Sequence, residues 1–413
     1  MDQKEFLLYS LKSTIVPSTG CTEPVAIALC SAVARSKASG TVKKIEIVLD
    51  LGLFKNAMGV GIPGLDRRGV PLCCAIGLVD GNPENGMDIL GKIKTLHKDE
   101  IEKTASMVEV SVREDIPTLF IQVTLTTDAS CVRVITTDRH DHIASIQTPP
   151  FTEYQLSADV SAAPEIQNYT LQDIVEFVDK MPVEQFAFLW DGVEMNRKMS
   201  KAGMEKGFWK DIAPLDSEHN LLPLTQRMTG AASYARMSGI MLPTMTATGS
   251  GNQGITVFLT VDTVCQSYHI GYERELRALA LANLINVFAK SYMGSLSPIC
   301  ACGVASGLGA SIGIVYALGG TEVQMLGAMK NMLGGVSGMI CDGAKEGCAN
   351  KVAIGAGCAL ISALTALQGQ QLSADNGILA DNMTTLYEHL STLIHNGMTN
   401  MNRTIVDIML ADC

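Results

Sequence analysis

The sequence predicts an α+β N-terminal domain with an antiparallel sheet, followed by an all-α helical C-terminal domain. Three observations carry that expectation. Short runs of alternating apolar and polar residues cluster before residue 150, as half-buried strands do. From residue 171 the apolar spacing is helical to the end, broken by glycine-rich junctions at 249–254, 293–303, 319–320 and 334–347. Between the two regimes, 148–168 (TPPFTEYQLSADVSAAPEIQN) combines prolines and serines with little periodicity and reads as a linker. A chain of 413 residues can bury two cores of this kind, and the boundaries are placed at 1–150 and 165–413.

In chain order, residues 3–16 and 23–38 are expected to be helices, with Thr22 as an N-cap and Pro24 in a first turn. Val42–Leu49 alternates like a strand, and helical segments follow at 66–80 and 84–105. Met107–Arg113, Leu119–Leu125, Cys131–Thr137 and His142–Gln147 alternate between short polar turns, which predicts a meander with one wet face. Beyond the linker, helices are expected at 171–181, 183–204, 222–240, 253–268, 272–292, 301–318, 322–339, 347–367, 376–394 and 398–410.

Composition narrows the class. The chain is 47% apolar and 18% charged with mean hydropathy +0.22, which marks a globular protein. A net charge of −11 argues against nucleic acid, since no basic surface would offset phosphate repulsion. The start, MDQKEFLLYSLKST, has mixed charges and no cleavage-site pattern, so a cytoplasmic location is expected. No Asp, Glu, Lys or Arg occurs from Ser291 to Thr321 or from Val352 to Ala374. Either stretch could span a bilayer by length, but both are rich in Gly, Ala and Ser and lack flanking basic clusters and aromatic belts. Buried core helices are expected instead, with no membrane partner.

Twelve cysteines in such a chain point to metal binding, catalysis or burial rather than disulfides. Five of them, Cys300, Cys302, Cys341, Cys348 and Cys358, fall on or near glycine-rich turns in a region poor in carboxylates and imidazoles. Soft donors in that setting suit iron–sulfur or zinc rather than magnesium or calcium. The spacing is not that of a zinc ribbon, so a metal centre, buried structural thiols and a thiol nucleophile or redox pair all stay open. Cys30, Cys73, Cys74, Cys131 and Cys265 lie in apolar runs and read as core filling. Gly59–Gly64 and Gly249–Gly254 match G-x-G-x-x-G, but neither follows a clear strand in a βαβ unit. The second leads into a helix, whose N-terminus is an anion site, so Gly249, Ser250, Gly251, Asn252 and Gln253 are candidates for holding a carboxylate. His140-Asp141-His142 has metal-ligand chemistry but reads first as a solvated turn, and Glu194, Arg197 and Lys198 as an exposed helical face.

Five segments together, GCTEP, GVGIPG, TGSGNQG, SPICACGVASG and ICDGAKEGC, make the chain similar to the L-cysteine desulfidase family (the UPF0597 type). More distantly it resembles the iron–sulfur L-serine dehydratases, whose alpha domain looks like the C-terminal half from TGSGNQG to GMICDG. The resemblance implies an oxygen-sensitive [4Fe–4S] cluster held by three cysteines, no pyridoxal phosphate, and a homo-oligomer. It places Cys300 and Cys341 as cluster ligands and Cys348 as the third, with Cys302 and Cys358 competing for that place. Cys21 stands where dehydratases carry a serine-rich loop with histidine, which favours a thiol-bearing substrate. Dehydratases also end in a tail cysteine; this chain ends in Cys413, but the surrounding tail is not similar.

The activity implied is elimination from L-cysteine to hydrogen sulfide, pyruvate and ammonia. Ser18, Thr19 and Thr22 join the 249–254 loop in holding the substrate, and Cys21, Glu23 and Lys345 are candidate bases. Dehydration of L-serine is the alternative within the class. A non-catalytic protein that senses cysteine or metal is the alternative outside it.

Overall fold

The computed structural model describes residues 2–62, 64–65, 67–116, 118–154, 166–209, 220–294 and 296–411. Most of the expected linker and Cys413 lie outside the described residues. The first half contains α1 (Gln3–Thr14), β1 (Pro17–Thr19), α2 (Thr22–Lys37), β2 (Val42–Asp50), α3 (Leu51–Met58), α4 (Val70–Val79) and α5 (Lys98–Ala105). It continues with β3 (Val108–Arg113), β4 (Phe120–Thr127), β5 (Cys131–Thr137) and β6 (Ile143–Gln147). The second half holds α6 (Leu171–Lys180), α7 (Phe188–Glu205), α8 (Leu221–Met237), β7 (Pro243–Met245), α9 (Gly251–Ser267) and α10 (Tyr272–Met293). It ends with α11 (Ala305–Ala317), α12 (Glu322–Val336), α13 (Cys348–Leu367), α14 (Met383–Thr392) and α15 (Met401–Ala411).

The main sheet has the order β3-β2-β4-β5-β6. The last three strands form the expected antiparallel meander, and β2 joins it antiparallel to β4. β3 pairs with β2 and runs parallel to it, so the sheet is mixed and β3 is not a neighbour of β4. The three helices between β2 and β3 make the crossover that a parallel pair requires. Ile45, Ile47 and Leu49 of β2 turn inward with Ile121, Val123 and Leu125 of β4, and α2 and α4 cover them. Asp50 ends β2 and caps α3: its Oδ1 accepts from Gly52 N (2.9 Å) and Leu53 N (3.1 Å), and its Oδ2 from Phe120 N (2.8 Å). That cap creates α3, a helix absent from the sequence expectations.

The helices of the second half pack around α9 and α10. Every α9 residue from Gly251 to Cys265 is buried, the pattern of a helix enclosed on all sides. α13 is long and apolar enough to cross a membrane by length, but 56% of its apolar window is buried, and it packs on α8, α11 and α12. The chain ends cross over between the halves. Leu7, Leu11 and Ile15, on and just after α1, lie in the helical core, whereas Val406 of α15 lies in the sheet core.

Arg197 departs from the exposed face expected for it. Its guanidinium grips buried Asp262 with two bonds, Nε to Oδ2 at 2.8 Å and Nη2 to Oδ1 at 2.6 Å. Glu275, 1% exposed, sits beside this pair. Burial, then the neighbouring Asp262 carboxylate, pushes the Glu275 carboxyl up to about 8. The folded state therefore holds this proton more tightly than the unfolded chain, whose carboxyl titrates in the ordinary range. Stability is fully present below that range and is lost as pH rises through about 8. Urea midpoints measured from pH 5 to pH 9 should fall by an amount equivalent to about 2 kcal/mol or more. Glu275→Gln should flatten that slope; an equal slope in the variant would rule out Glu275 as its source.

Candidate active site

The GCTEP and TGSGNQG segments leave one small ladder. β1 pairs antiparallel with β7, with Ser18 opposite Thr244, and Thr246 N donates to Val16 O at 3.0 Å. The chain beyond β1 is GCTEP, which opens α2; the chain beyond β7 is TATGSGNQG, which opens α9. Two helix N-termini from different halves are thereby brought together. Arg236, on α8 and 4% exposed, ties them: Nη2 donates to Gly20 O at 2.9 Å and Nη1 to Asn252 Oδ1 at 3.4 Å. A Cβ at position 251 would lie 2.2 Å from Arg236 Nε, so only glycine admits the guanidinium there. Thr248 adopts φ +48°, a strained conformation for a β-branched residue, and donates to Gln253 Oε1 at 2.8 Å.

The thiols arrive from a second crossing. Ile299 and Ile340 form an isolated antiparallel bridge, with Cys300 N donating to Met339 O (2.8 Å) and Cys341 N to Pro298 O (2.7 Å). That bridge sets SPIC beside ICDG across 41 residues of sequence. Cys348 is the first residue of α13, and its Sγ lies 3.6 Å from Gly343 O. Gly343 has φ +94°, and a Cβ there would meet Lys55 O at 2.6 Å, which packs the CDG turn against α3 of the other half. Lys55, itself 1% exposed, donates to Cys341 O at 2.8 Å and to Asn402 Oδ1 at 2.7 Å. Cys302 Sγ lies 3.7 Å from Ser250 Oγ and so joins the thiols to the glycine loop.

The serine dehydratase alpha chain model matches residues 85–407. The chain belongs to the serine dehydratase alpha chain family. Its relatives include UPF0597 proteins of Clostridium tetani (32% identical, covering 100% of both chains) and Caldanaerobacter subterraneus (35%, covering 99% of both). One from Photobacterium profundum is 35% identical over 97% of each chain. Family membership supports a lyase-type activity. The family's match spans the thiol-bearing turns and the TGSGNQG loop, whereas β1, GCTEP and Lys55 precede it.

The family's association with iron–sulfur dehydratases can be set against the donors present. Cys300, Cys341 and Cys348 interact electrostatically with one another, and no carboxylate or imidazole intrudes among the groups that perturb them. Among the described residues, no three His, Cys, Asp or Glu side chains converge closely enough to hold a single metal ion. Soft thiol donors are the chemistry that an iron–sulfur cluster takes. Lys55, Lys290 and Lys351 surround the thiols and would balance an anionic centre. Cys358 falls away from the set. It lies ten residues along α13 from Cys348, about 15 Å up the helix axis.

As free thiols these groups stay protonated at neutral pH. Hydrogen bonding to Cys302 and then burial raise Cys300 well above the ordinary value, and burial pushes Cys348 up to about 12. Burial also pushes Cys21 up to about 11, against the pull of Arg236. Cys21, rather than the expected Thr22, takes the N-cap position of α2 without a side-chain cap bond; its thiol lies 4.0 Å from Met237 Sδ, while Glu23 Oε1 accepts from Asn56 Nδ2 at 2.9 Å. Thr22 Oγ1 donates to Glu23 Oε2 at 3.4 Å. Lys345 is ion-paired to Asp342 on its own turn. Ser18, Thr19, Cys21, Thr22, Asn252 and Gln253 are buried, and Glu23, Gly249 and Ser250 are half-buried. Two surface cavities of about 490 and 620 Å³ lie between α7 and the β1–β7 ladder and at the start of α10; none of these residues lines either.

Sequence reasoning missed Arg236, Lys55, Lys290 and His140. The first three share one signal, a lone cation in a run otherwise free of charge. His140 offered no such signal, because its place depends on the β5–β6 turn.

Proposed function

We propose that the protein eliminates hydrogen sulfide from L-cysteine, yielding pyruvate and ammonia after hydrolysis of aminoacrylate. One observation carries this reading most directly. Four of the thirteen buried polar atoms without a protein partner among the described residues lie on or beside the segments that meet here: Ser18 Oγ, Asn56 Oδ1, His140 Nε2 and Arg236 Nε. Buried polar groups are almost always satisfied, so such a gathering suits a small zwitterionic ligand. Cys21 beside that gathering supports a thiol-bearing substrate over L-serine.

In this reading Ser18, Thr19 and Thr22 act with the N-terminus of α9, Gly249 to Gln253, to hold the carboxylate. Both helix dipoles and the Arg236 charge favour an anion there. Burial excludes water, which strengthens each of these contacts. A [4Fe–4S] cluster on Cys300, Cys341 and Cys348 would supply a Lewis acid toward the leaving sulfur. Lys55, Lys290 and Lys351 keep that region electropositive, and Asp342, paired with Lys345 and Lys351, fixes the turn that presents Cys341.

The test is an anaerobic assay of L-cysteine against L-serine, reading sulfide and pyruvate. Sulfide release with kcat/KM higher for L-cysteine supports the proposal. Preference for L-serine would reassign the leaving group, and turnover of neither would favour a binding protein. In the same assay Cys21→Ser should keep its iron and lose about 10²-fold in L-cysteine turnover, within the usual span for a group acting in the transition state. Loss of iron instead would make Cys21 a ligand.

A further inference from the structure

The geometry points to His140 Nε2 as the base that removes the substrate α-proton, an inference that rests on the elimination reading above. His140 sits in the turn between β5 and β6, on the α+β half, and reaches across to the glycine loop of the helical half. A Cβ at Gly249 would lie 3.9 Å from His140 Nδ1, so the imidazole lies against TGSGNQG. Its Nε2 is fully shielded from solvent and has no partner within the protein. A buried imidazole nitrogen is ordinarily fixed by a hydrogen bond, and one left unsatisfied calls for an explanation.

The turn is built to hold the ring there. Arg139 clasps Asp141 through Nε–Oδ1 (3.0 Å) and Nη2–Oδ2 (2.8 Å), and Asp138 takes a left-handed φ of +67°. His142, two residues on, shows the contrast. Its side chain is 52% exposed and its Nδ1 is 3.2 Å from Thr137 O, as expected of a turn residue. The charged groups that face His140 are Glu23 of α2, Asp50 at the end of β2, Asp141 of its own turn and Lys290 of α10. Burial outweighs the three carboxylates and lowers its pKa, so the ring is neutral and able to accept a proton at pH 7. Cys21 remains a protonated thiol, and Lys345 is engaged by Asp342. Both Glu23 oxygens are taken, by Thr22 and Asn56, whereas His140 Nε2 is buried and unpartnered, so His140 is the group placed for the task.

The step balances within the substrate. Nε2 takes the α-proton and leaves the C–H electron pair on Cα; that pair then becomes the Cα–Cβ π bond as the Cβ–S bond breaks. Hydrosulfide leaves with its electron pair, and the imidazolium returns the proton to it, so no outside oxidant or reductant is needed.

The experiment compares wild-type holoprotein with His140→Gln and His140→Ala in D2O, reading exchange of the substrate α-hydrogen by NMR alongside sulfide release. Iron content and thermal midpoint are measured for each protein. Both variants should keep their iron and KM within about threefold while kcat and α-exchange fall about 10²–10⁴-fold. Added imidazole should partly restore His140→Ala, and the acid limb of the kcat/KM profile should vanish in His140→Gln. Wild-type-like exchange in either folded variant overturns the assignment while leaving the elimination intact. Lost activity accompanied by lost iron or a collapsed midpoint, without imidazole rescue, also overturns it by making His140 structural. A wild type that eliminates from neither L-cysteine nor L-serine overturns the function itself, and His140 as base falls with it.

Discussion

Cys300→Ala and Cys341→Ala should each abolish the visible iron–sulfur chromophore and reduce turnover by more than about 10²-fold, beyond the cost of losing an outer-shell partner. The two residues are fixed against each other by the Ile299–Ile340 bridge. Cys348→Ala should behave alike, because its sulfur is held over the same turn by the start of α13. Cys358→Ala should leave iron content unchanged. The measurement is iron and acid-labile sulfide per chain after anaerobic reconstitution. Full iron in any one of the first three variants would remove that cysteine from the ligand set.

Arg236→Met should have the second-largest effect, because it acts on stability and on the site together. The substitution keeps most of the buried volume but leaves Gly20 O and Asn252 Oδ1 without their donor. Hydrogen bonds from a charged donor are each worth roughly 1.5–3 kcal/mol, so a loss of about 3 kcal/mol is expected in urea unfolding. The two helix N-termini would also lose the charge that lies between them, so KM for L-cysteine should rise about tenfold or more. Arg236→Lys keeps the charge but cannot span both acceptors, and should fall between. An unchanged midpoint with an unchanged KM in Arg236→Met would show that the guanidinium does not join the loops.

Much of this architecture was legible in the sequence because its signals are local. The helical period beyond residue 171 and the alternation of β4, β5 and β6 are written in consecutive residues, and the structure follows them closely. α3 was missed although Asp50 offers a capping side chain, because LGLFKNAM is too short for periodicity to register. β3 was expected beside β4, since adjacency in sequence is the default; the insertion of β2 between them is a tertiary choice with no local mark.

The site follows the same division. The cysteine turns and the glycine loop announced themselves through residue type and spacing. Their meeting depends on two short ladders, β1 with β7 and Ile299 with Ile340, each too brief to leave a pattern. Arg197 was read as surface because its partner, Asp262, lies 65 residues away. His140 looked like a solvated turn because nothing near it in sequence shows that Gly249 covers the ring.

At the centre stands the proposal that Cys300, Cys341 and Cys348 would hold a cluster and keep one iron free for the substrate. Mössbauer spectra of the anaerobically reconstituted ⁵⁷Fe protein, with and without L-cysteine, test it most directly. The account predicts about four irons per chain, one of them distinct and shifted by L-cysteine while the other three stay unchanged. A colourless protein that retains zinc, or irons that are all equivalent and indifferent to L-cysteine, would contradict it.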